Sequence, residues 1–229
     1  MKVVLLYPEV YDMARFREKR KEFPPFGVLY LASVMENAGH EVAVEAVTPS
    51  RTCLDLTGYA AVGFSLASSA TYGVMLQARR ESLFAPHALI MVGGVHCNFY
   101  PESSFSDFDA DLAAYGESEE TILDMLERGS RREFASIPGV LWRDSDGELR
   151  RNAARPLMRD IDQLPLPARH LLPAGHVVLT DRLAGTDLRM AHVMLSRGCP
   201  FPCSFCAAGQ TRIQYRGGRS ARLELEGWC

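Results

Sequence analysis

The sequence has no long apolar run, no surplus of charge and little cysteine. Its N-terminus, MKVVLLYPEVYD, reaches Pro8 after about six apolar residues, too few for a signal-peptide core or a membrane span, so it reads as a buried strand. Lys and Arg total 25 against 28 Asp and Glu, a net charge of −3. With no Lys/Arg-rich run, that balance excludes a general nucleic-acid binder. Six cysteines are few for a disulfide scaffold, and without a secretory signal a cytoplasmic setting is expected. No GxGxxG follows the first strand, so a dinucleotide fingerprint is missing. Internal repeats at solenoid periods and low-complexity segments are missing too. What is there is a globular composition: 229 residues, 47% hydrophobic and 23% charged, enough for one large domain or one domain plus part of a second.

Short apolar runs alternate with longer amphipathic ones over residues 1–128. KVVLLYP (2–8), EVAVEAV (41–47), AAVGFS (60–65), ALIMVGG (88–94) and ADLAAYG (110–116) are strand-like, and the first is uniformly apolar, as in a parallel strand covered on both faces. FGVLYLASVMENA (26–38), TYGVMLQARRESLF (71–84) and ESEETILDMLERG (117–129) are helical. The first of these places Val28, Leu31, Val34 and Met35 on one face. Five strands alternating with helices predict an α/β fold, a doubly wound five-stranded parallel sheet of flavodoxin-like type. Residues 139–151 read as a hairpin about a DSDG turn, and DQLPLPARHLLPAG (162–175) as an extended, proline-restricted linker. MAHVMLS (190–196) is a further strand that runs into RGCPFPCSFCAAG (197–209). The expected organisation is a sheet domain over 1–135, a hairpin and linker over 136–188 and a second domain from 189 to 229.

Cys199, Cys203 and Cys206 form C-x3-C-x2-C just after that last strand. Pro200 and Pro202 bar helix and ladder, so the segment is a loop that can curl three thiolates around one centre. Thiolates suit iron–sulfur clusters or zinc. Three leave an open position on an iron cluster, whereas Cys203 and Cys206 as half a zinc site would need a partner such as Cys229, which has no CxxC of its own. Cys53 and Cys97 are isolated and are expected to be small buried residues.

SRGCPFPCSFCAAG resembles the signature of the radical S-adenosylmethionine (SAM) superfamily, in which an aromatic residue precedes the third cysteine; Phe205 fills that place. The resemblance implies that Cys199, Cys203 and Cys206 hold a [4Fe–4S] cluster whose fourth iron takes SAM, with Phe205 near the adenine. One electron would then cleave SAM to a 5′-deoxyadenosyl radical that abstracts a substrate hydrogen. A small-molecule substrate and a reductant such as flavodoxin or ferredoxin are implied as partners.

In an open parallel sheet, ligands bind beyond the carboxyl ends of the strands, and three of those ends are rich in small residues: SLASS from Ser65, Gly93-Gly94-Val95-His96, and Tyr115-Gly116-Glu117. Together with PPFGVLYLASVMENAGHEV (24–42), VGGVHCNFYPE (92–102), YGESEETI (115–122) and the LPLPAR linker, they resemble the cobalamin-binding domain fused ahead of many radical SAM enzymes. The resemblance covers nearly all of residues 1–216 and implies cobalamin as a further cofactor, cradled by Ser65, Gly93, Gly94 and Gly116, with His96 in the ligand loop. None of the six histidines has Asp two residues before it, so the Asp-x-His-x-x-Gly cobalt-ligand motif is missing and the lower corrin face is expected to lack a histidine. Methyl transfer, or a radical cyclisation or rearrangement, would be the chemistry.

Other features carry plainer expectations. Glu117, Glu119 and Glu120 would serve the dipole of their helix, and His192 would pack in its strand. Arg212, Tyr215 and Arg216 resemble the family's segment after the cluster loop and would position that loop. No side chain is singled out as an acid, base or nucleophile. Only 23 residues follow Cys206, against about 250 in a complete (β/α)8 barrel. The tail RSARLELEGWC also departs from the family pattern. The expectation is therefore a partial TIM barrel reduced to its first strand and cluster loop, in a truncated chain that turns over SAM poorly. A second chain completing the barrel, or a non-catalytic cobalamin- or metal-binding module, are the alternatives.

Overall fold

The computed structural model describes residues 1–9, 24–129, 131–173, 179–183, 186–190, 193–194, 197–198 and 203–206. In chain order the elements are β1 (Lys2–Pro8), α1 (Phe26–Asn37), β2 (Glu41–Val47), β3 (Asp55–Leu56), β4 (Ala61–Ser65), α2 (Ser69–Glu81) and β5 (Leu83–Phe84). Then come β6 (Leu89–Gly93), α3 (Val95–Phe99), α4 (Pro101–Asp107), β7 (Leu112–Ala114), α5 (Glu119–Gly129), β8 (Val140–Arg143) and β9 (Leu149–Arg151).

Strand β1 is buried from Val3 through Tyr7, which requires cover on both faces. Because side chains alternate along a strand, Val3 and Leu5 enter one core while Val4 and Leu6 enter the other. Strand β6 divides in the same way, Leu89 and Met91 against Ile90 and Val92. Each such burial contributes roughly 1.5–3 kcal/mol. An exposed ion pair such as Lys2–Glu41, 3.4 Å apart across β1 and β2, contributes roughly 0.2–1 kcal/mol. Apolar burial, not surface charge, sets the strand order.

That order is β2-β1-β4-β6-β7-β8-β9. The first five strands are parallel, and the β8–β9 hairpin adds to the same sheet antiparallel. The mixed α/β fold with a mainly parallel sheet is thus the predicted one, widened by the hairpin. A separate pair, β3 with β5, was not foreseen from the sequence.

The helices differ in detail from the expected ones. Helix α2 starts at Ser69 because Ser68 takes the cap position, its N–H donating to Thr71 Oγ1 at 3.3 Å. In α1 the buried residues are Val28, Leu29, Ala32, Ser33 and Met35, while Leu31 and Val34 are half-buried. The short helices α3 and α4 occupy a stretch that reads as loop; Pro101 opens α4, where its missing N–H costs nothing.

The proline-rich linker packs rather than spans. Ala168 N–H donates to the Leu29 carbonyl at 3.1 Å, Ser33 Oγ donates to the Leu166 carbonyl at 2.7 Å, and Ala168 and Leu172 are buried against α1. Beyond it, β10 (Leu179–Leu183) and β11 (Thr186–Met190) pair antiparallel. The strand expected at 190–196 lies mainly outside the described residues, and Val193 and Met194 belong to no strand. Among the described residues no helix is long and apolar enough to cross a membrane.

Candidate functional site

From β1 the chain moves outward to β2, then crosses back to β4 on the other side. Neighbouring connections therefore leave the sheet in opposite directions between β1 and β4, the arrangement that opens a crevice at the carboxyl ends of parallel strands. A cavity of about 400 Å³ lies there, between α1 and α5. Its floor is apolar, formed by Leu5, Met91, Val28, Ile122 and Met125. Its rim is formed by Ser65, Gly93, Gly94, Asn98 and Gly116. Leu31, half-buried on α1, faces this space rather than the core proper.

The rim is built by backbone. Leu66 N–H donates to the Gly93 carbonyl at 2.7 Å, and His96 N–H donates to the Leu66 carbonyl at 2.9 Å, which ties the end of β4 to the end of β6. Gly94 sits at the crossing with φ +102°, and a Cβ there would lie 2.7 Å from the Leu66 oxygen. Only glycine fits both the dihedral and the space. At Gly93 a Cβ would meet Ala114 Cβ at an ordinary 3.7 Å, so its side faces open room. Gly116, with φ +89°, donates its N–H to Asn98 Oδ1 at 2.7 Å. Asn98, which sequence reasoning passed over, thereby joins the β6 and β7 loops; a polar side chain one turn into the helix after a glycine pair was its only signal.

Four of the predicted contact residues, Ser65, Gly93, Gly94 and Gly116, line this one cavity. His96 does not. Its ring stacks between Tyr72, at 4.7 Å between centroids, and Tyr100, at 5.1 Å. Burial there holds the imidazole pKa below its ordinary value. Among the described residues no histidine lines the cavity.

The acidic start of α5 does more than serve the helix dipole. Glu119 is buried and pairs with Arg197 at 2.6 Å, and Glu117 stands 3.6 Å from the same guanidinium. Burial works against the Arg197 charge, but the hydrogen bond and charge of Glu119, with Glu117 behind it, more than offset this and hold its pKa above the ordinary value. The other oxygen of Glu117 accepts from Met158 N–H at 2.8 Å, and Glu120 pairs with Arg155 at 2.9 Å. Met194, Arg197 and Gly198 close one side of the cavity.

Of the three cysteines predicted to hold a metal, Cys199 lies outside the described residues. Cys203 is an exposed free thiol and Cys206 a half-buried one, joined in a turn by Cys206 N–H donating to the Cys203 carbonyl at 3.1 Å. Phe205, at the tip of that turn, is 91% exposed. Cys97 is fully buried as expected, but Cys53 is exposed, its thiol on the Glu81 carbonyl at the surface side of α2. His192, Arg212, Tyr215 and Arg216 lie outside the described residues.

Residues 17–126 match the family model of the B12-binding domain. The cavity lies largely within the matched stretch, on the strand ends and on α1 and α5. Over 97% of its length the chain is 28% identical to an uncharacterized methyltransferase of Pyrococcus horikoshii, covering 49% of that protein. Over 94% it is 24% identical to the anaerobic magnesium-protoporphyrin IX monomethyl ester cyclase of Cereibacter sphaeroides, covering 36% of it. The chain thus spans half or less of the length of these curated relatives. In fold, 97% of it superimposes on the radical SAM methyltransferase TsrM of Kitasatospora setae, solved with tryptophan and a SAM analogue or with cobalamin and a [4Fe–4S] cluster. The TM-scores are 0.59 and 0.58, the identity is 17%, and 43% of TsrM is covered.

Proposed function

We propose that the chain acts in a cobalamin-dependent radical SAM enzyme of methyltransferase or cyclase type. The observation that carries this reading is the cavity at the β1/β4 crossing, whose glycine rim and apolar floor stand beside the segment that leads into C-x3-C-x2-C. A whole corrinoid would not fit within a cavity of about 400 Å³; Ser65, Gly93, Gly94 and Gly116 on its rim would hold it, and the apolar walls between α1 and α5 would suit its nucleotide tail. The fit is chemical as well as spatial. A flat heteroaromatic tail suits apolar walls, and Gly93 leaves room for close backbone approach. None of the six histidines stands in an Asp-x-His-x-x-Gly motif, so a bound corrinoid would be held without a histidine of that kind.

Two accessible thiols in one turn, with Cys199 four residues ahead of Cys203 in the chain, suit an iron–sulfur cluster with an open iron position. When bound, these groups supply one-electron chemistry and a methyl carrier. The protein's own residues orient them: Gly94 fixes the loop against the ring, Asn98 holds the neighbouring loop, and Arg197 fixes the approach to the cysteines. Phe205 projects from the cysteine turn, free to stack on the adenine of SAM. A cytoplasmic setting, a small-molecule substrate and a one-electron donor such as flavodoxin or ferredoxin complete the reading.

The test is stoichiometric. Equilibrium dialysis with hydroxocobalamin should give close to one corrinoid per chain, and anaerobic reconstitution close to four irons and four sulfides, the iron being lost when Cys203 and Cys206 are replaced by Ala. A chain that retains neither sinks the proposal.

A further inference from the structure

By sequence, Arg197 belongs to the cysteine segment, two residues before Cys199. By contact it belongs to the stretch that matches the family model. Its guanidinium reaches Glu119 on α5 at 2.6 Å and lies 5.3 Å over the ring of Tyr30 on α1. It therefore bridges the two helices that wall the cavity, and it forms part of the cavity wall itself. The side chains of Arg197 and Glu119 are 18% and 7% exposed. In so dry a setting each charge needs the other, because loss of either leaves its partner desolvated and unpaired. Glu117 adds a second carboxylate and at the same time holds the linker through Met158 N–H.

We infer that Arg197 is a positioning residue, a latch that docks the cysteine segment on the rim of the cavity and thereby links corrinoid occupancy to the placement of the cysteine turn. This rests on the proposed function. Linkage is reciprocal: whatever fills the cavity and packs against the Met194–Arg197–Gly198 wall also holds that wall closed, and whatever releases the wall weakens the filling. The side chain takes no chemical part.

The latch has a readout that needs no turnover. Trypsin cuts after Arg197 only when its side chain leaves Glu119, so cleavage of the full chain at Arg197–Gly198 follows the undocked population. Glu119→Gln keeps the shape and removes the charge; it should raise the cleavage rate by about tenfold. Saturating hydroxocobalamin should slow the cut in the parent chain. Arg197→Lys keeps both the charge and the protease site but loses the fork, and should fall between the two. It also serves as the second variant if Glu119→Gln fails to fold. In the reconstituted chain, the magnetic interaction between cob(II)alamin and the reduced cluster should weaken in Arg197→Ala and persist in part in Arg197→Lys. Equal cleavage rates in all chains with and without hydroxocobalamin overturn the latch. If the parent chain binds no corrinoid but Glu119→Gln is still cut faster, docking stands and the functional reading falls.

Discussion

Gly94 and Leu66 are in contact through their backbones, with a Cβ on Gly94 falling 2.7 Å from the Leu66 carbonyl oxygen. That oxygen already accepts from His96 N–H at 2.9 Å, so it is not free to retreat. Gly94→Ala should therefore cost about 1–3 kcal/mol of stability and lower corrinoid affinity, because the rim must shift. Gly93→Ala, whose methyl meets only ordinary contacts, should leave urea unfolding nearly unchanged while still crowding the ligand. Paired unfolding and dialysis measurements separate the two glycines; equal stability loss in both would contradict the geometry.

The doublet Gly93-Gly94 shows how much the sequence discloses. Five parallel strands are legible because each is apolar on both faces, as Val3 to Leu6 are, and that pattern has few other uses. The glycine pair marks a ligand loop but does not say which glycine is obligatory. The difference lies in the approach of Leu66, which no local pattern records. The Glu119–Arg197 pair is equally hidden: its members stand 78 positions apart, and a helix dipole alone accounts for an acidic first turn. Helices α3 and α4 are too short for their periodicity to show, and no local pattern reveals that His96 stacks between Tyr72 and Tyr100.

Asn98 offers a test of loop rigidity. Asn98→Ala removes the acceptor for Gly116 N–H and should cost about 1 kcal/mol. Corrinoid affinity should fall as the β7 loop loosens, whereas iron uptake at the cysteine turn should not change. Loss of both would place Asn98 in a different role.

Thiol reactivity should divide the cysteines by burial. Only the thiolate attacks iodoacetamide. Burial pushes the Cys97 thiol up to about 12, so Cys97 should remain unmodified in the native apo chain at pH 8. Cys53 and Cys203, both exposed, should be alkylated. Peptide mass mapping checks this, and rapid labelling of Cys97 would mean that the α3 region opens readily.

His96 predicts a pH effect of definite sign. Its folded pKa is lowered by burial below the ordinary value of 6.5, so the unfolded chain binds the proton more tightly. The stability from its neutral form is present above pH 6.5 and is lost as pH falls through that value towards the lower folded one. His96→Phe keeps a ring between Tyr72 and Tyr100 and should flatten the decline in urea midpoint between pH 7 and pH 5. His40, whose pKa is also lowered, first by burial and then by the N-terminal charge, will retain its own share. An unchanged slope in His96→Phe would assign the whole effect elsewhere.

The β8–β9 hairpin has a consequence for solubility. Without it, the parallel sheet would end at Leu112–Ala114, a fully buried apolar strand whose outer N–H and C=O groups would invite another chain to add on. With Ala113 set against Leu141 and Ala114 against Val140, the terminal position passes to Leu149–Arg151. There Arg150 is held by Asp144 at 2.6 Å, and Arg151 lies 4.4 Å over the Tyr115 ring. Charged arginines are poor templates for self-association. Deleting residues 140–151 should leave a protein that aggregates on standing, measurable by light scattering, as the sheet seeks a replacement for its missing guard.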